Sequence, residues 1–118
     1  MPQPTELAKK RCAPCGGGVA PLTTAAIEAF LGQFPAWKLT PDGIRLRREW
    51  LVKDFAAGLD FFNRIAEVAE AEGHHPDLHL VGYRQLAIEL WTHEAGGLTE
   101  NDFILAAKID ELPVELKK

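Results

Sequence analysis

The chain has 118 residues, which is the length of one domain, and it is long enough to bury a hydrophobic core without disulfide or metal crosslinks. Apolar residues make up 47% of it and charged residues 25%, a composition that excludes wholesale disorder and collagen-like structure. The net charge of −4 argues against a nucleic-acid-binding protein, and the lack of any run of about 18 apolar residues argues against a membrane-spanning one.

The first 21 residues are predicted to form a flexible N-terminal tail, followed by a single domain over residues 22–118. Residues 14–21 hold three glycines and two prolines, which is too many for a regular element. No apolar stretch follows the early basic residues as it would in a secretory signal, so we expect a cytoplasmic protein. In that compartment Cys12 and Cys15 are expected to be reduced thiols.

A helix and a β-hairpin are predicted to open the domain. Thr23 or Thr24 can cap the helix, and Gly32 ends it. Residues 34–39 and 44–52 have the extended pattern of two strands, and the sequence Pro-Asp-Gly between them is typical of a turn. One face of the second strand is apolar apart from one arginine, and its members are Ile44, Leu46, Arg48, Trp50 and Val52.

A long second helix is predicted between two strong end signals. Asp54 is a good N-terminal cap, and Gly73 stands at the usual position for a glycine that ends a helix. Apolar residues at helical spacing predict the stripe that this helix buries against the sheet: Phe55, Leu59, Phe62, Ile65 or Ala66, and Ala69.

The rest of the chain predicts a second hairpin and a final helix. Strands over residues 78–81 and 85–93 flank a turn, and Thr99 to Asp102 match the capping box of a helix start. Pro113 is expected to kink or end that helix, whose apolar stripe comprises Leu105, Ile109, Leu112 and Leu116. Hairpins that alternate with helices predict an α+β fold, a two-layer sandwich with a four-stranded antiparallel sheet and three helices on one face.

All four histidines of the chain, His74, His75, His79 and His93, fall within twenty residues. His74 and His75 follow the long helix, and His93 ends a predicted strand, so these three lie at the ends of elements, where scaffolds often carry a site. Imidazole changes its charge near neutral pH, so paired histidines can give and take the protons that a dehydration requires. The alternative is that they are ordinary surface residues.

A metal site is another interpretation of these residues. Cys12 and Cys15 form half of a zinc-binding pattern, and His75 and His79 have a ligand-like spacing. The second half of the pattern is missing because the chain has no further cysteine, and Pro76 disfavours the helix that the histidine spacing needs. No metal is therefore expected.

Three residues near the histidines have both an ordinary and a functional interpretation. Glu70 lies one helical turn before His74 and could orient it, or could simply face solvent. Asp102 could support the site, although the capping box alone accounts for its position. Trp91 could stack on a substrate ring or contact another subunit.

Together these residues resemble the motif of the pterin-4a-carbinolamine dehydratases. In this chain the motif reads Glu70-x3-His74-His75-Pro76-x6-Tyr83-x9-His93-x8-Asp102, with Gly96-Gly97-Leu98-Thr99 ahead of the aspartate. The resemblance covers residues 22–112. Many members of the family have an aromatic residue shortly after His-His-Pro, where this chain has Leu78 and His79.

The resemblance implies an enzyme that removes water from 4a-hydroxytetrahydropterin and gives the quinonoid dihydropterin. This reaction recycles the tetrahydrobiopterin cofactor of aromatic amino-acid hydroxylases. The resemblance also implies that no metal or organic cofactor is used, and that the chain forms a homodimer or homotetramer. The alternative is a non-catalytic protein of the same fold that helps another protein to dimerise or assemble.

The resemblance assigns residues to this chemistry as well. The catalytic set is His74, His75 and His93. The substrate-binding set is Pro76, Thr92, Glu94 and Ala95. The supporting set is Glu70 and Asp102. Within the catalytic set, we expect the first and last histidines to transfer protons and the middle one to bind and polarise the pterin.

Overall fold

The structure is a computed structural model that describes residues 3–13 and 20–118. Its elements follow one another as α1 (Pro4–Leu7), α2 (Thr24–Leu31), β1 (Lys38–Leu39), β2 (Leu46–Leu51), α3 (Phe55–Glu72), β3 (Asp77–Val81), β4 (Gln85–Leu90) and α4 (Glu100–Asp110). A single 3₁₀ turn, His93–Ala95, lies between β4 and α4. The predicted order of helices and hairpins is confirmed from α2 onwards.

The four strands form one antiparallel sheet in the order β1-β2-β4-β3, so the two hairpins lie side by side. The central strand β4 has its Leu86 paired with Trp50 on one side and with Leu80 on the other. Leu86, Ile88 and Leu90 share one face, and each is at most 1% exposed. The predicted α+β fold is confirmed, and β4 carries the middle of its core.

The predicted ends of α2 and α3 are confirmed by their hydrogen bonds. Thr23 Oγ1 accepts a hydrogen bond from the backbone N–H of Ala26 at 3.2 Å, and Asp54 Oδ1 accepts one from Ala57 at 2.8 Å. Gly73 ends α3 in the left-handed conformation with a φ of 66°. This turn directs the chain from the end of α3 into β3, with the two adjacent histidines at the junction.

The buried face of α3 differs from the predicted stripe in its first two turns. Phe55 and Leu59 are 50% and 43% exposed, whereas Ala57 and Gly58 face the core. A Cβ on Gly58 would lie 3.2 Å from the Leu80 side chain, which is tighter than ordinary packing. The small residues let the helix backbone approach the edge strand β3, and the larger side chains turn outward.

Helix α4 occupies the middle of the helical layer and is buried on nearly all sides. The sheet borders it through β4, α3 packs beside it, and α1 contacts it as well. Phe30 of α2 stacks on Phe103 with ring centroids 4.6 Å apart. The single apolar stripe predicted for α4 therefore underestimates how much of its surface is buried. Further helices cover the side that a surface helix would expose to water.

The end of the chain does not continue α4 as a helix. α4 ends at Asp110, ahead of Pro113, which cannot extend the hydrogen-bonded helix. Leu116 instead pairs with Val52 just beyond β2, and it is 48% exposed. The prediction that Leu116 belongs to the helical stripe is wrong.

Residues 3–13 differ from the predicted tail. Pro4 begins a one-turn helix, as proline often does, and Leu7 is fully buried in the core. Lys108 of α4 donates a hydrogen bond to the Ala8 carbonyl at 2.7 Å. This segment is therefore packed on the domain. Cys15 and the other residues of 14–19 lie outside the described residues.

Candidate active site

Three of the four histidines line one cavity of about 540 Å³. His74 and His75 reach it from the loop after α3, and His93 reaches it from the 3₁₀ turn after β4. The volume lies within the range of about 300–1,000 Å³ that is usual for small-molecule sites. His79 lies on β3 and lines a separate cavity with Arg47, and its Nε2 lies 3.8 Å from Glu89 Oε1. Of the predicted cluster of four, three histidines line this cavity and His79 does not.

His74 is held by a buried carboxylate. Its Nε2 lies 2.6 Å from Asp102 Oδ1, and only 11% of the His74 side chain is exposed. A carboxylate accepts hydrogen bonds, so this contact assigns a proton to Nε2. The ring therefore presents Nδ1 as the nitrogen that is left for a ligand, either to accept a proton or to donate one.

Asp102 combines two tasks that the sequence suggested as alternatives. Its Oδ2 accepts hydrogen bonds from the Thr99 backbone N–H and from the Thr92 hydroxyl, both at 2.9 Å, while Oδ1 contacts His74. The first of these bonds belongs to the capping box of α4. The carboxylate is 0% exposed, and the helix N-terminus favours its negative charge. The same group that starts the helix thus orients the histidine.

His75 has a looser environment than its neighbour. Its side chain is 61% exposed, and its Nε2 lies 3.5 Å from Glu70 Oε1. The Glu70 side chain is itself 79% exposed, so solvent screens this pair. The structure therefore puts Glu70 beside His75 and mostly in solvent, and the carboxylate that contacts His74 is that of Asp102.

His93 packs against an aromatic ring. The centroids of the His93 and Trp91 rings are 3.7 Å apart, and the guanidinium of Arg45 lies 4.6 Å from the Trp91 centroid. His93 was predicted at the end of a strand, but β4 ends at Leu90. The Thr92 N–H then donates to the Gly97 carbonyl at 3.0 Å, which folds the chain into the 3₁₀ turn. Trp91 thus contacts one of the histidines of the cavity.

The predicted substrate-binding residues fall at different depths. Pro76 and Glu94 line the cavity beside the histidines. Thr92 is fully buried and reaches the site through its hydrogen bond to Asp102. Ala95 belongs to the 3₁₀ turn, but it is not among the described residues that line the cavity.

Sequence reasoning missed one side of the cavity. Cys12, Ala13, Glu72 and Asn101 line it together with the histidines. The sequence indicates Cys12 only as a thiol or as part of a metal pattern, and it gives no sign that the other three face a cavity. The available signal was weak, because a one-turn helix such as α1 is too short to show any periodicity.

The cavity offers imidazole, carboxylate and amide side chains to a ligand, and its carboxylates are Glu72, Asp77 and Glu94. In the parts of the chain that the structure describes, no three His, Cys, Asp or Glu residues come together in a group that could hold a metal ion. Over those same residues, no helix combines the length and the apolar character needed to cross a membrane.

Comparison with known proteins identifies relatives over nearly the whole chain. The family model described as pterin 4 alpha carbinolamine dehydratase matches residues 20–112. The chain is 52% identical over 113 residues to pterin-4-alpha-carbinolamine dehydratase 2, mitochondrial, of Arabidopsis thaliana, covering 93% of this chain and 60% of that protein. It is 44% identical over 109 residues to a Methylococcus capsulatus protein with a provisional pterin-4-alpha-carbinolamine dehydratase name, covering 92% and 95% of the two chains.

A solved structure has the same fold. It is the crystal structure of a transcriptional coactivator/pterin dehydratase from Brucella melitensis, which superposes with a TM-score of 0.71 at 28% identity. The match covers 76% of this chain and 95% of that one. With the family model matching well over half of its residues, and with relatives above 40% identity, the chain belongs to the pterin-4a-carbinolamine dehydratase family.

Proposed function

We propose that this protein is a hydro-lyase that removes water from 4a-hydroxytetrahydropterin, such as 4a-hydroxytetrahydrobiopterin, and gives the quinonoid dihydropterin. The observation that carries the proposal is the convergence of His74, His75 and His93 on one cavity, with His74 fixed by Asp102 at 2.6 Å. The names of the relatives support the same activity.

The reaction needs one proton delivered and one removed. The C4a–O bond breaks as the hydroxyl takes up a proton and leaves as water, and the N5–H loses its proton so that a C4a=N5 double bond forms. No electron is gained or lost overall. Two imidazoles on different sides of a substrate can therefore complete the reaction, and acid–base help of this kind is worth about 10²- to 10⁴-fold in rate.

We assign the proton transfers to His74 and His93, and substrate binding to His75. His74 is suited to transfer because its bond to Asp102 fixes the ring and compensates the charge that it gains when protonated. The tilted contact of His93 with the Trp91 ring limits the orientations of the second imidazole. His75 is 61% exposed at the edge of the cavity, where it can hydrogen-bond to a bound pterin.

The proposal is tested by following the dehydration of freshly generated 4a-hydroxytetrahydropterin by ultraviolet absorbance. Wild type is compared with His74→Ala and His93→Ala, and circular dichroism verifies that each variant is folded. His79→Ala is the matched control, because His79 lines a separate cavity and not the one that the other three histidines line. We expect the acceleration to fall at least tenfold in the first two variants and to stay within twofold in the control. Absence of acceleration by the wild type would refute the proposal.

A second candidate function is that of a binding partner for another protein. It is favoured by the description of the Brucella melitensis structure as a transcriptional coactivator/pterin dehydratase. The two functions differ in their need for the histidines. If a protein partner is recovered from a cell extract equally well by wild type and by His74→Ala, binding does not depend on the catalytic set.

We also propose that the chain forms a homodimer or homotetramer. Phe55 and Leu59 lie one turn apart on α3, and both are substantially exposed, as is Val81 on the edge strand β3 at 63%. Exposed apolar side chains of this kind often mark contacts between subunits. Light scattering of the wild type and of Leu59→Glu tests this, and a wild-type mass of 13.0 kDa would contradict it. A cytoplasmic location stays a prediction, and the Arabidopsis relative is mitochondrial by name.

A further inference from the structure

We propose that residues 7–13, which we call the N-terminal wall, determine which pterins the cavity accepts by contacting the substituent at carbon 6 of the ring. The proposal rests on the proposed function, and it adds a specificity role for a segment that precedes the family match at residue 20. Cys12 and Ala13 of the wall line the same cavity as His74 and His93.

The wall is docked at both ends. Leu7, at its start, is fully buried in the core. At its other end the Ala13 N–H donates to Asn101 Oδ1 at 2.9 Å, and Asn101 Nδ2 donates back to the Ala13 carbonyl at 2.7 Å. Between them, the Cys12 N–H donates to Glu72 Oε1 at 2.8 Å. The position of the wall is therefore fixed by packing and by several hydrogen bonds.

The groups that hold the wall are buried. Asn101 is 6% exposed, the Glu72 side chain is 8% exposed, and the Lys108 side chain is 16% exposed. Lys108 and Glu72 lie 3.7 Å apart, and each also bonds to the wall backbone, through Ala8 and Cys12 respectively. Moving the wall away would remove hydrogen bonds from all three buried groups, which is costly. The N-terminal wall thus forms one side of the cavity and is held in a fixed position.

The chemistry of pterins indicates what such a wall can select. The fused ring is common to all these substrates, and its C4a and N5 must lie near the histidines for the reaction. The substituent at carbon 6 is the part that varies from one pterin to another, so discrimination between pterins requires a contact with it. Cys12 and Ala13 have small side chains, which leave room for a substituent, and a larger side chain there would reduce that room.

The test compares two substrates, the 4a-hydroxytetrahydropterins with a methyl group and with a dihydroxypropyl group at carbon 6. Ala13→Leu adds bulk to the cavity at an exposed position, so folding should be retained. Lys10→Ala is the matched control within the wall, since Lys10 forms an exposed ion pair with Glu100. Asn101→Ala removes the two hydrogen bonds to Ala13. Circular dichroism is recorded for every variant.

We expect Ala13→Leu to lower kcat/KM for the dihydroxypropyl substrate about tenfold more than for the methyl substrate, mainly by raising KM. Asn101→Ala should shift the ratio between the two substrates in the opposite direction, because the wall is loosened, and Lys10→Ala should leave it within twofold. An unchanged ratio in Ala13→Leu, or an equal loss for both substrates, would overturn the role of the wall while the dehydratase proposal stands.

A second measurement separates the two proposals. Calorimetry measures the binding of the unreactive 7,8-dihydrobiopterin to wild type and to Ala13→Leu. If the wild type does not accelerate dehydration, the proposed function fails, and weaker binding to Ala13→Leu still supports the wall. Equal binding by the two proteins contradicts the wall whatever the activity.

Discussion

Two carboxylates on the same helix differ in what they hold. Asp102, near the start of α4, contacts His74, Thr92 and Thr99. Asp110, at the end of α4, accepts hydrogen bonds from the Trp37 indole at 2.9 and 3.1 Å and from Arg48 at 2.5 Å. Both tie α4 to neighbouring parts of the chain, but only the first contacts a histidine that lines the cavity.

The electrostatic setting of the two carboxylates also differs. Asp102 is 0% exposed and lies at a helix N-terminus, where a negative charge is favoured. Asp110 lies at the helix C-terminus, where a negative charge is disfavoured, and its burial raises the pKa of the Asp110 carboxyl even though Trp37 and Arg48 act to lower it. Arg48 is itself stacked over Trp50 at 4.5 Å, which explains how an arginine is accommodated on the apolar face of β2.

The two carboxylates are distinguished by the chemistry of their hydrogen-bond partners. The partners of Asp110, the Arg48 guanidinium and the Trp37 N–H, act only as donors. The imidazole of His74, by contrast, can either accept or donate a proton at Nδ1 while Nε2 stays bonded to Asp102. A buried carboxylate beside a histidine in a cavity is thus the stronger indication of chemistry.

The largest effect is expected for Asp102→Ala. This substitution removes the cap of α4 and leaves the Thr92 hydroxyl and His74 without their buried acceptor, so the free energy of unfolding should fall by about 3 kcal/mol. Asp110→Ala should cost about half as much, because its side chain is already 29% exposed to water. Urea unfolding of both variants measures the difference. Equal losses would mean that the two carboxylates are equivalent anchors.

Asp102→Asn separates stability from activity. The amide oxygen can still accept the hydrogen bond of the cap, but the negative charge beside His74 is lost, so dehydration should slow about a hundredfold in a folded protein. Asp110→Asn should leave the rate within twofold. A similar loss of rate in both variants would remove the functional distinction between the two ends of α4.

The raised pKa of Asp110 should be detectable in the pH dependence of the free energy of unfolding. Because its pKa is raised above 3.8, the folded state binds this proton more tightly than the unfolded state. Its contribution to stability is therefore greatest below that pH and is lost as the pH rises through the raised pKa. Relative to Asp110→Asn, the wild type should lose stability over that window and then level off. Urea unfolding across an acidic pH series measures this, and a difference independent of pH would contradict it.

The smallest effect is expected for Glu70→Gln. Its contact with His75 is 3.5 Å long, and both side chains are mostly exposed, so the change in unfolding free energy should stay below about 0.5 kcal/mol. The dehydration rate should change less than about twofold. A larger loss of rate would mean that Glu70 takes part in the reaction and does not merely lie at the surface of the site.

Local signals of the sequence predicted local structure well. Thr23, Asp54 and Gly73 mark helix ends because capping depends on a few neighbouring residues, and the structure confirms each of them. The same reasoning found the capping role of Asp102. It did not find that the second oxygen of this carboxylate contacts His74, because spacing along the chain does not say what lies opposite a helix end.

Predictions that depended on distant packing were less successful. The outward position of Phe55 and Leu59 follows from the close approach of Gly58 to Leu80, and no periodicity within α3 reveals an edge strand. The docking of residues 3–13 was likewise missed, because its polar partner Glu72 lies some sixty residues away in the sequence. The three histidines could be predicted from a motif, but the side of the cavity formed by Ala13 could not.

The contact between Gly58 and Leu80 determines how closely the first turns of α3 approach the edge strand β3. Gly58 lies in the first turns of the helix, and the His74 backbone follows Gly73 about 22 Å further along the axis. A methyl group at residue 58 would lie 3.2 Å from the Leu80 side chain, so Leu80 would have to give way by a few tenths of an ångström. The first turns of α3 therefore tolerate little added volume against β3, whereas the turn that leads from α3 to His74 is set by Gly73 at the other end of the helix.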